Sequence, residues 1–169
     1  MAEAPVTIRI AKPRDAKAIV SVMQKAYAQY KNRIEPPLQA LTVGTSDVAA
    51  EIRVPGRGYL VAVTDDRIVG CVRYRLLRGR GGRMLELSRL AVDPAYRGCG
   101  TGSALMAAGE DIARRAGVRE LRGNVRVAMS SLLDYYGRMG WQVLGYRSKP
   151  GYPRYLLVVG KQLASDKEG

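Results

Sequence analysis

Gly98, Gly100 and Gly102 alternate within five residues, and Arg97 stands just before them. Glycine accepts positive φ and lets a ligand approach the main chain closely. A helix is predicted to follow directly, and its first amides have no acceptor within the helix. Added to the positive end of the helix dipole, those amides make an anion site. The spacing therefore predicts phosphate or pyrophosphate binding by the run from Val92 to Ser103. Competing nucleotide loops do not fit. A Walker A loop needs four residues between its glycines and then Gly-Lys-Ser/Thr, and this loop has no lysine. A dinucleotide fingerprint needs Gly-x-Gly-x-x-Gly, but Ser103 and Leu105 occupy the third position in the two frames. A kinase glycine loop lies in a hairpin, not before a helix.

The rest of the composition narrows the chemistry. With no histidine and two cysteines, Cys71 and Cys99, the chain has no His-based metal site, no His-activated nucleophile and no disulfide framework. A general base at neutral pH must be a carboxylate, a tyrosine, a perturbed lysine or a relayed water. The formal charge is +13, and the excess is arginine spread over the chain without a long run. Such a field attracts anions, but the even spread of arginine reads as solvated surface charge in preference to a nucleic-acid site.

The elements that position the loop are legible from periodicity. The 169 residues suit one domain, 1–169, with a core of ordinary size. Val6 to Ile10 reads as a strand. Pro13 opens a helix with Ala18, Ile19, Val22, Met23, Ala26 and Tyr30 on one face, ending before Pro36. Ser46 and Asp47 are N-cap candidates for a short helix to about Val54. Tyr59 to Val63, a turn at Asp65-Asp66, Ile68 to Leu77, a turn over Arg78 to Gly82, and Met84 to Val92 make a three-strand meander. A helix runs from about Gly102 to Ala116, its inner face predicted as Leu105, Ala108, Ile112 and Ala116, with Gly117 as C-cap. Val118 to Val125 is a strand, Ser130 to Met139 a helix, and Trp141 to Arg147 and Arg154 to Val159 are strands. The order is β-α-α-β-β-β-α-β-α-β-β: an α/β (α+β) domain with a mixed, mostly antiparallel sheet and helices on both faces.

At this point a family resemblance emerges. Arg97-x-x-Gly100-x-Gly102 resembles the Gln/Arg-x-x-Gly-x-Gly/Ala motif of the GNAT N-acetyltransferase superfamily. Leu90-Ala-Val-Asp-Pro-x-Tyr-Arg-Gly is similar to that family's fourth strand entering its pyrophosphate loop. Tyr136-Gly-Arg-Met-Gly-Trp141 resembles its distal motif. The resemblance implies acetyl-CoA as cosubstrate and no metal. It implies cofactor binding by Leu90, Ala91, Val92, Arg97, Gly98, Cys99, Gly100, Thr101, Gly102 and Ser103, with main-chain amides near Leu90 to Val92 holding the thioester oxygen at a splay or bulge. It implies Tyr136 as the acid for the departing thiolate, with Tyr135 its rival. Glu86 is the candidate base by position; the alternative is a solvated strand carboxylate paired with an arginine. Arg89 reads as a surface or substrate-side charge. One departure is Met129, where the family often has an asparagine; Ser130 and Ser131 are the polar groups nearby, and Asn124 is no substitute by position.

A catalytic Cys99 is set aside, because its amide rather than its sulfur belongs to the phosphate frame. Asp65-Asp66 is a turn pair, and Arg73, Arg75, Arg78, Arg80 and Arg83 read as solvated hairpin charge. The acceptor pocket is expected from Tyr27, Tyr30, the Ile34 to Val43 segment and Tyr146 to Tyr155, where tyrosines suit a small amine or a peptide end. Direct transfer to a small primary amine is one reading. A protein lysine or N-terminus is a second, and a non-catalytic CoA- or nucleic-acid-binding protein is a third. Glu3, Arg9, Lys12 and Arg14 interrupt any leader-like apolar run, and no apolar stretch has spanning length, so a cytoplasmic chain without a membrane partner is expected. The sequence leaves homodimerisation open.

Overall fold

The computed structural model describes residues 5–165. Glu3 lies outside them. The described residues hold seven strands in one sheet of order β1-β2-β3-β4-β5-β7-β6. The strands are β1 Thr7–Ile10, β2 Arg57–Thr64, β3 Arg67–Gly79, β4 Gly82–Val92, β5 Glu120–Arg126, β6 Gln142–Lys149 and β7 Tyr152–Gln162. The helices are α1 Ala16–Tyr27, α2 Gln39–Thr42, α3 Thr45–Ile52, α4 Thr101–Arg115 and α5 Leu132–Arg138. The mixed, mostly antiparallel sheet of the sequence reading is present, with β4 and β5 parallel. A one-turn helix, α2, is additional. By contacts the chain divides into two compact units: the described residues of Met1–Arg75 with Arg89–Gly109, and Leu76–Ser88 with the described residues of Glu110–Gly169.

In the first unit the apolar stripe of α1 is buried as its spacing predicts as far as Ala26, but the helix ends at Tyr27, short of the expected end before Pro36, and Tyr30 lies beyond it in the 3-10 turn Ala28–Tyr30. Ile19, Val22, Met23 and Ala26 are buried against Tyr59, Val61, Cys71 and Ala91 of the sheet. Successive strand residues point to opposite faces. Cys71 belongs to the α1 face, while beside it a Cβ on Gly70 would lie 3.1 Å from Leu105 of α4. Helices thus cover both faces of β3, and only glycine at position 70 leaves room for α4. The β2–β3 turn is the predicted one, with left-handed φ of 47° at Asp65 and 59° at Asp66, as a two-residue hairpin turn of this hand requires.

Two local readings need correction. Helix α3 begins earlier than expected, with Gly44 as N-cap. Asp47 sits one turn in, where its carboxylate accepts the Gly44 N–H at 3.0 Å. The buried stripe of α4 is Leu105, Met106, Gly109 and Ala113, not Leu105, Ala108, Ile112 and Ala116. Both stripes have helical spacing. The buried one is rotated toward Gly109 and Ala113, and Ala108, Ile112 and Ala116 are only half-buried.

In the second unit β5 is central, with its buried side chains Leu121, Gly123 and Val125 alternating with half-buried neighbours. It pairs with β7 from Glu120↔Gln162 to Arg126↔Leu156, and β7 pairs with the edge strand β6. The parallel ladder to β4 is short, Leu85↔Leu121 and Glu86↔Arg122. A Cβ on Gly123 would meet Val159, the Leu87 carbonyl and the Trp141 ring at 3.2 to 3.5 Å. The tight approaches are those to Val159 and the Leu87 carbonyl, while the Trp141 ring would be at ordinary contact distance.

Candidate functional site

The glycine loop belongs to the first unit, and each of its parts is fastened. Asp93 follows β4. Its N–H donates to the Val69 carbonyl at 2.8 Å, and its carboxylate caps the 3-10 turn Pro94–Tyr96 by accepting the Ala95 N–H at 3.0 Å. Lys25 of α1 lies 3.7 Å from the same carboxylate. Arg97 donates from Nη2 to the Ala26 carbonyl at 2.8 Å, satisfying one of the carbonyls left open at the end of α1. The side chain of the motif arginine therefore anchors the loop to α1.

Gly98 and Gly100 have φ of 80° and 79°, and a Cβ on either would meet nothing within 4 Å. Backbone conformation, not crowding by the protein, is what selects glycine here. Ala104 N–H donates to the Gly100 carbonyl at 2.9 Å, so Gly100 caps α4. The amides of Thr101, Gly102 and Ser103 precede the first intrahelical acceptor. Thr101 is 3% exposed, and its Oγ1 is buried without a hydrogen-bond partner. Cys99 is exposed, with its thiol donating to the Arg97 carbonyl at 3.7 Å. This arrangement fits a polyanionic group at the start of α4: positive-φ glycines, open space above them and amides directed along the helix axis. It sits one residue earlier than the sequence reading placed the helix start.

The end of β4 is irregular, as an expected splay or bulge would have it. Arg89 has a left-handed φ of 54°, which breaks the pleat immediately before Leu90. Ala91 is buried against α1, and Leu90 and Val92 are half-buried. The Tyr27 hydroxyl donates to the Leu90 carbonyl. The sequence reading had Tyr27 in the acceptor pocket; its hydroxyl is instead directed at β4. Arg89 is not a surface charge. Its side chain is 12% exposed, and its Nη1 donates to the hydroxyl of the fully buried Tyr59 at 2.7 Å. Arg73 is likewise buried rather than solvated, with Nη1 donating to Glu51 at 3.2 Å, while Arg78, Arg80 and Arg83 are exposed as expected. Ile34, Leu38 and Ala40 of the expected pocket segment are buried in the protein interior.

Glu86 and Tyr136 belong to the second unit. Glu86 is 7% exposed, which corrects the solvated alternative. Asn124 of β5 donates from Nδ2 toward its Oε2 at 3.5 Å. Asn124 was dismissed in the sequence by its offset from the Met129 position. Its significance comes from the sheet, since Arg122, its neighbour but one on β5, is in register with Glu86. Met129 is buried and offers no polar contact, and Ser130 and Ser131 are exposed.

Tyr136 lies on α5 with its ring edge-on to Trp141 at 5.7 Å and to Tyr135 at 5.9 Å. The Trp141 N–H donates to the Tyr136 carbonyl at 3.1 Å, closing the end of the helix. Burial, with a smaller contribution from Tyr135, pushes the Tyr136 phenol up to about 12. The hydroxyl stays protonated throughout the physiological range and is available as a donor. Among the hairpin residues expected to line the pocket, Tyr146 is exposed with Arg154 5.5 Å over its ring, and Lys149 lies over Tyr152 and Tyr155 at 5.3 and 5.6 Å. A cleft of about 300 Å³ in this unit is lined by Glu120, Arg122, Gln142 and Lys161 among others. Its charges are paired, Arg122 with Glu120 and Lys161 with Glu110, and neither Glu86 nor Tyr136 lines it. Among the described residues no group of three or more Cys, Asp or Glu side chains could hold a metal, and no helix is long and apolar enough to cross a membrane.

Comparison with known proteins gives a consistent result. The model of the acetyltransferase (GNAT) family matches residues 21–141. A comparison with curated proteins found no match. The fold is similar to PaiA N-acetyltransferase from Thermoplasma acidophilum in complex with coenzyme A: TM-score 0.75, 18% identity, 94% of this chain and 99% of that chain covered. It is similar to YncA from Salmonella typhimurium, solved with its cofactor acetyl-CoA: TM-score 0.73, 23% identity, 95% of each chain covered. It is also similar to the ribosomal-protein-S18-alanine N-acetyltransferase of Escherichia coli: TM-score 0.72, 16% identity, 95% and 96% covered. At these identities the likeness is one of fold.

Proposed function

The chain belongs to the acetyltransferase (GNAT) family, and we propose that it transfers the acetyl group of acetyl-CoA to a primary amine by direct attack, without an acyl-enzyme. The observation that carries this reading is the loop: two positive-φ glycines have open space above them, and the second caps α4, whose first amides have no acceptor within the helix. In this reading the amides from Gly98 to Ser103 hold the pyrophosphate, and Arg97 keeps the loop in place through Ala26.

The acceptor amine, with an ordinary pKa of about 10.4, must lose a proton before it attacks. Glu86 is the base in this proposal, taking that proton directly or through a water, with Asn124 orienting its carboxylate. Leu90, Ala91 and Val92 contribute main-chain amides to the developing oxyanion, where Arg89 breaks the regular strand. Tyr136 donates to the departing thiolate. Its phenol at about 12 is a weaker acid than a thiol at about 8.5, so full proton transfer is uphill by about 5 kcal/mol. The role that fits is a hydrogen bond that stabilises the thiolate, which takes its proton from solvent or from the nitrogen of the tetrahedral adduct as the amide forms.

The test is CoA thiol release from acetyl-CoA over a panel of primary amines, alongside calorimetric binding of acetyl-CoA. Binding in the micromolar range with amine-dependent thiol release is expected. Absence of both would overturn the reading.

A further inference from the structure

Arg89 stands where β4 loses its regular form, and its side chain is held by groups from other elements. It has a left-handed φ of 54°, a conformation unfavourable for a residue with a Cβ. Strain of this kind persists where the surroundings over-determine it, and it concentrates at binding and catalytic positions. Here the surroundings grip the side chain. Nη1 donates to the Tyr59 hydroxyl at 2.7 Å, and Nη2 faces the Gln39 amide oxygen at 3.5 Å. Both of these partners are neutral. The carboxylate nearest to Arg89 is Glu51, whose Oε2 lies 3.6 Å from Nη1, beyond a good hydrogen bond, while its Oε1 receives Arg73 at 3.2 Å. Arg89 Nε is buried with no acceptor.

Glu51 is thus one carboxylate shared by two guanidinia, Arg73 and Arg89, which leaves one positive charge in excess, and the other ionisable groups nearby do not offset it. Cys71, whose thiol faces the Arg89 carbonyl at 3.9 Å, is pushed up to about 12 by burial and stays neutral. Tyr59 is pushed up by burial, although Arg89 opposes the shift, and it stays neutral too. Arg73 binds its proton less tightly than usual, first because of burial and next because of Arg89. Two largely buried guanidinia that share one carboxylate are costly by themselves and favoured by a second anion beside them. The Nη2 contact to Gln39, at 3.5 Å, is the longest of its hydrogen bonds and the one an anion would displace.

We propose that Arg89 is the carboxylate-binding residue of the acceptor site, and that the acceptor is an amine carrying a carboxylate, of the amino-acid or peptide-terminal type. This rests on the acetyltransferase reading above. Arg89 immediately precedes Leu90 to Val92, the segment assigned to the thioester oxygen. An acceptor anchored there by its carboxylate presents its amine to that strand. The overall charge of +13 favours capture of an anionic acceptor.

The experiment is a paired acceptor screen on the whole protein. The common amino acids as free acids, the same compounds as C-terminal amides, and simple alkyl and aryl amines are compared by CoA thiol release. Binding of acetyl-CoA is measured in parallel by calorimetry. Free acids are expected to exceed their amides by about 100-fold in kcat/KM, the loss of one charge-assisted fork. Arg89→Gln is expected to erase that ratio through the KM of the free acids, with acetyl-CoA affinity unchanged, and Arg89→Lys to recover part of it. If the variants do not fold, the wild-type acid–amide ratio decides alone. Equal rates for acids and amides, or transfer confined to amines without an acid group, overturn the carboxylate site and leave acetyl transfer standing. A panel with no transfer although acetyl-CoA binds also counts against the carboxylate site. Failure of acetyl-CoA to bind overturns the acetyltransferase reading itself.

Discussion

Replacing Gly100 by alanine separates the conformational role of the loop from its ligand role. Gly100 has φ of 79°, and an added Cβ meets no protein atom within 4 Å. The folded state then suffers only the left-handed backbone penalty, about 1–2 kcal/mol. For a chain of this length that lowers Tm by about 2–8 °C. Gly117, the C-cap of α4, is the matched control, with φ of 70° and the same open space. Gly117→Ala is expected to cost about the same stability for the same reason. The two diverge with ligand. Relaxation of the strained loop turns its amides away, and losing one charge-assisted hydrogen bond to a phosphate costs about 1.5–3 kcal/mol, roughly 10- to 150-fold in acetyl-CoA Kd. Gly117→Ala leaves that Kd unchanged. Differential scanning fluorimetry gives the stability pair and calorimetry the affinity pair. At a ligand concentration 100 times the wild-type Kd, the wild type and Gly117→Ala each gain about 2.7 kcal/mol, and Gly100→Ala gains less. Equal affinities for the two variants would refute the assignment of phosphate binding to this loop.

Tyr136→Phe is expected to lower kcat by about 10- to 100-fold, the range of a positioned donor. Because the phenol sits near 12 when folded and near 10 when unfolded, its contribution to stability is complete below pH 10 and disappears as pH rises toward 12. The phenylalanine variant should flatten the alkaline unfolding curve in that window. An identical curve would place the ring in a more solvated setting. Glu86→Gln, which preserves shape and the Asn124 contact, is expected to reduce kcat/KM at neutral pH by about 100-fold with acetyl-CoA affinity intact. An unchanged rate assigns deprotonation to solvent. Asp15 accepts from Arg9 at 2.7 Å and from the Lys12 amide at 2.7 Å, and the Arg9 bond holds its carboxyl below the usual range. Its stabilisation is therefore present above about pH 4 and lost as pH falls through the lowered value. Asp15→Asn should destabilise the protein at pH 7 and leave acid unfolding less steep, which urea midpoints across pH 2 to 7 would reveal.

The features encoded locally were readable from the residues in order. Alternating glycines need no partner elsewhere to select positive φ, so the Gly98–Gly100 loop and its helix were legible. The Asp65-Asp66 turn and the apolar stripe of α1 were legible for the same reason, since each depends on a period or a conformational preference within a few residues. The tertiary structure decided what depends on register and on distant neighbours. Glu86 is buried beside Asn124 because the β4–β5 ladder aligns two strands more than thirty residues apart. Arg89 is drawn inward by Tyr59, Gln39 and Glu51 from three other elements, and no spacing in β4 announces its left-handed φ. Even in α4, two helical stripes of equal period were available, and only contact with the rest of the fold selected the one containing Gly109 and Ala113. Local preference is additive along the chain and can be read there. Burial of charge is a property of the groups gathered around it, which the chain order does not state.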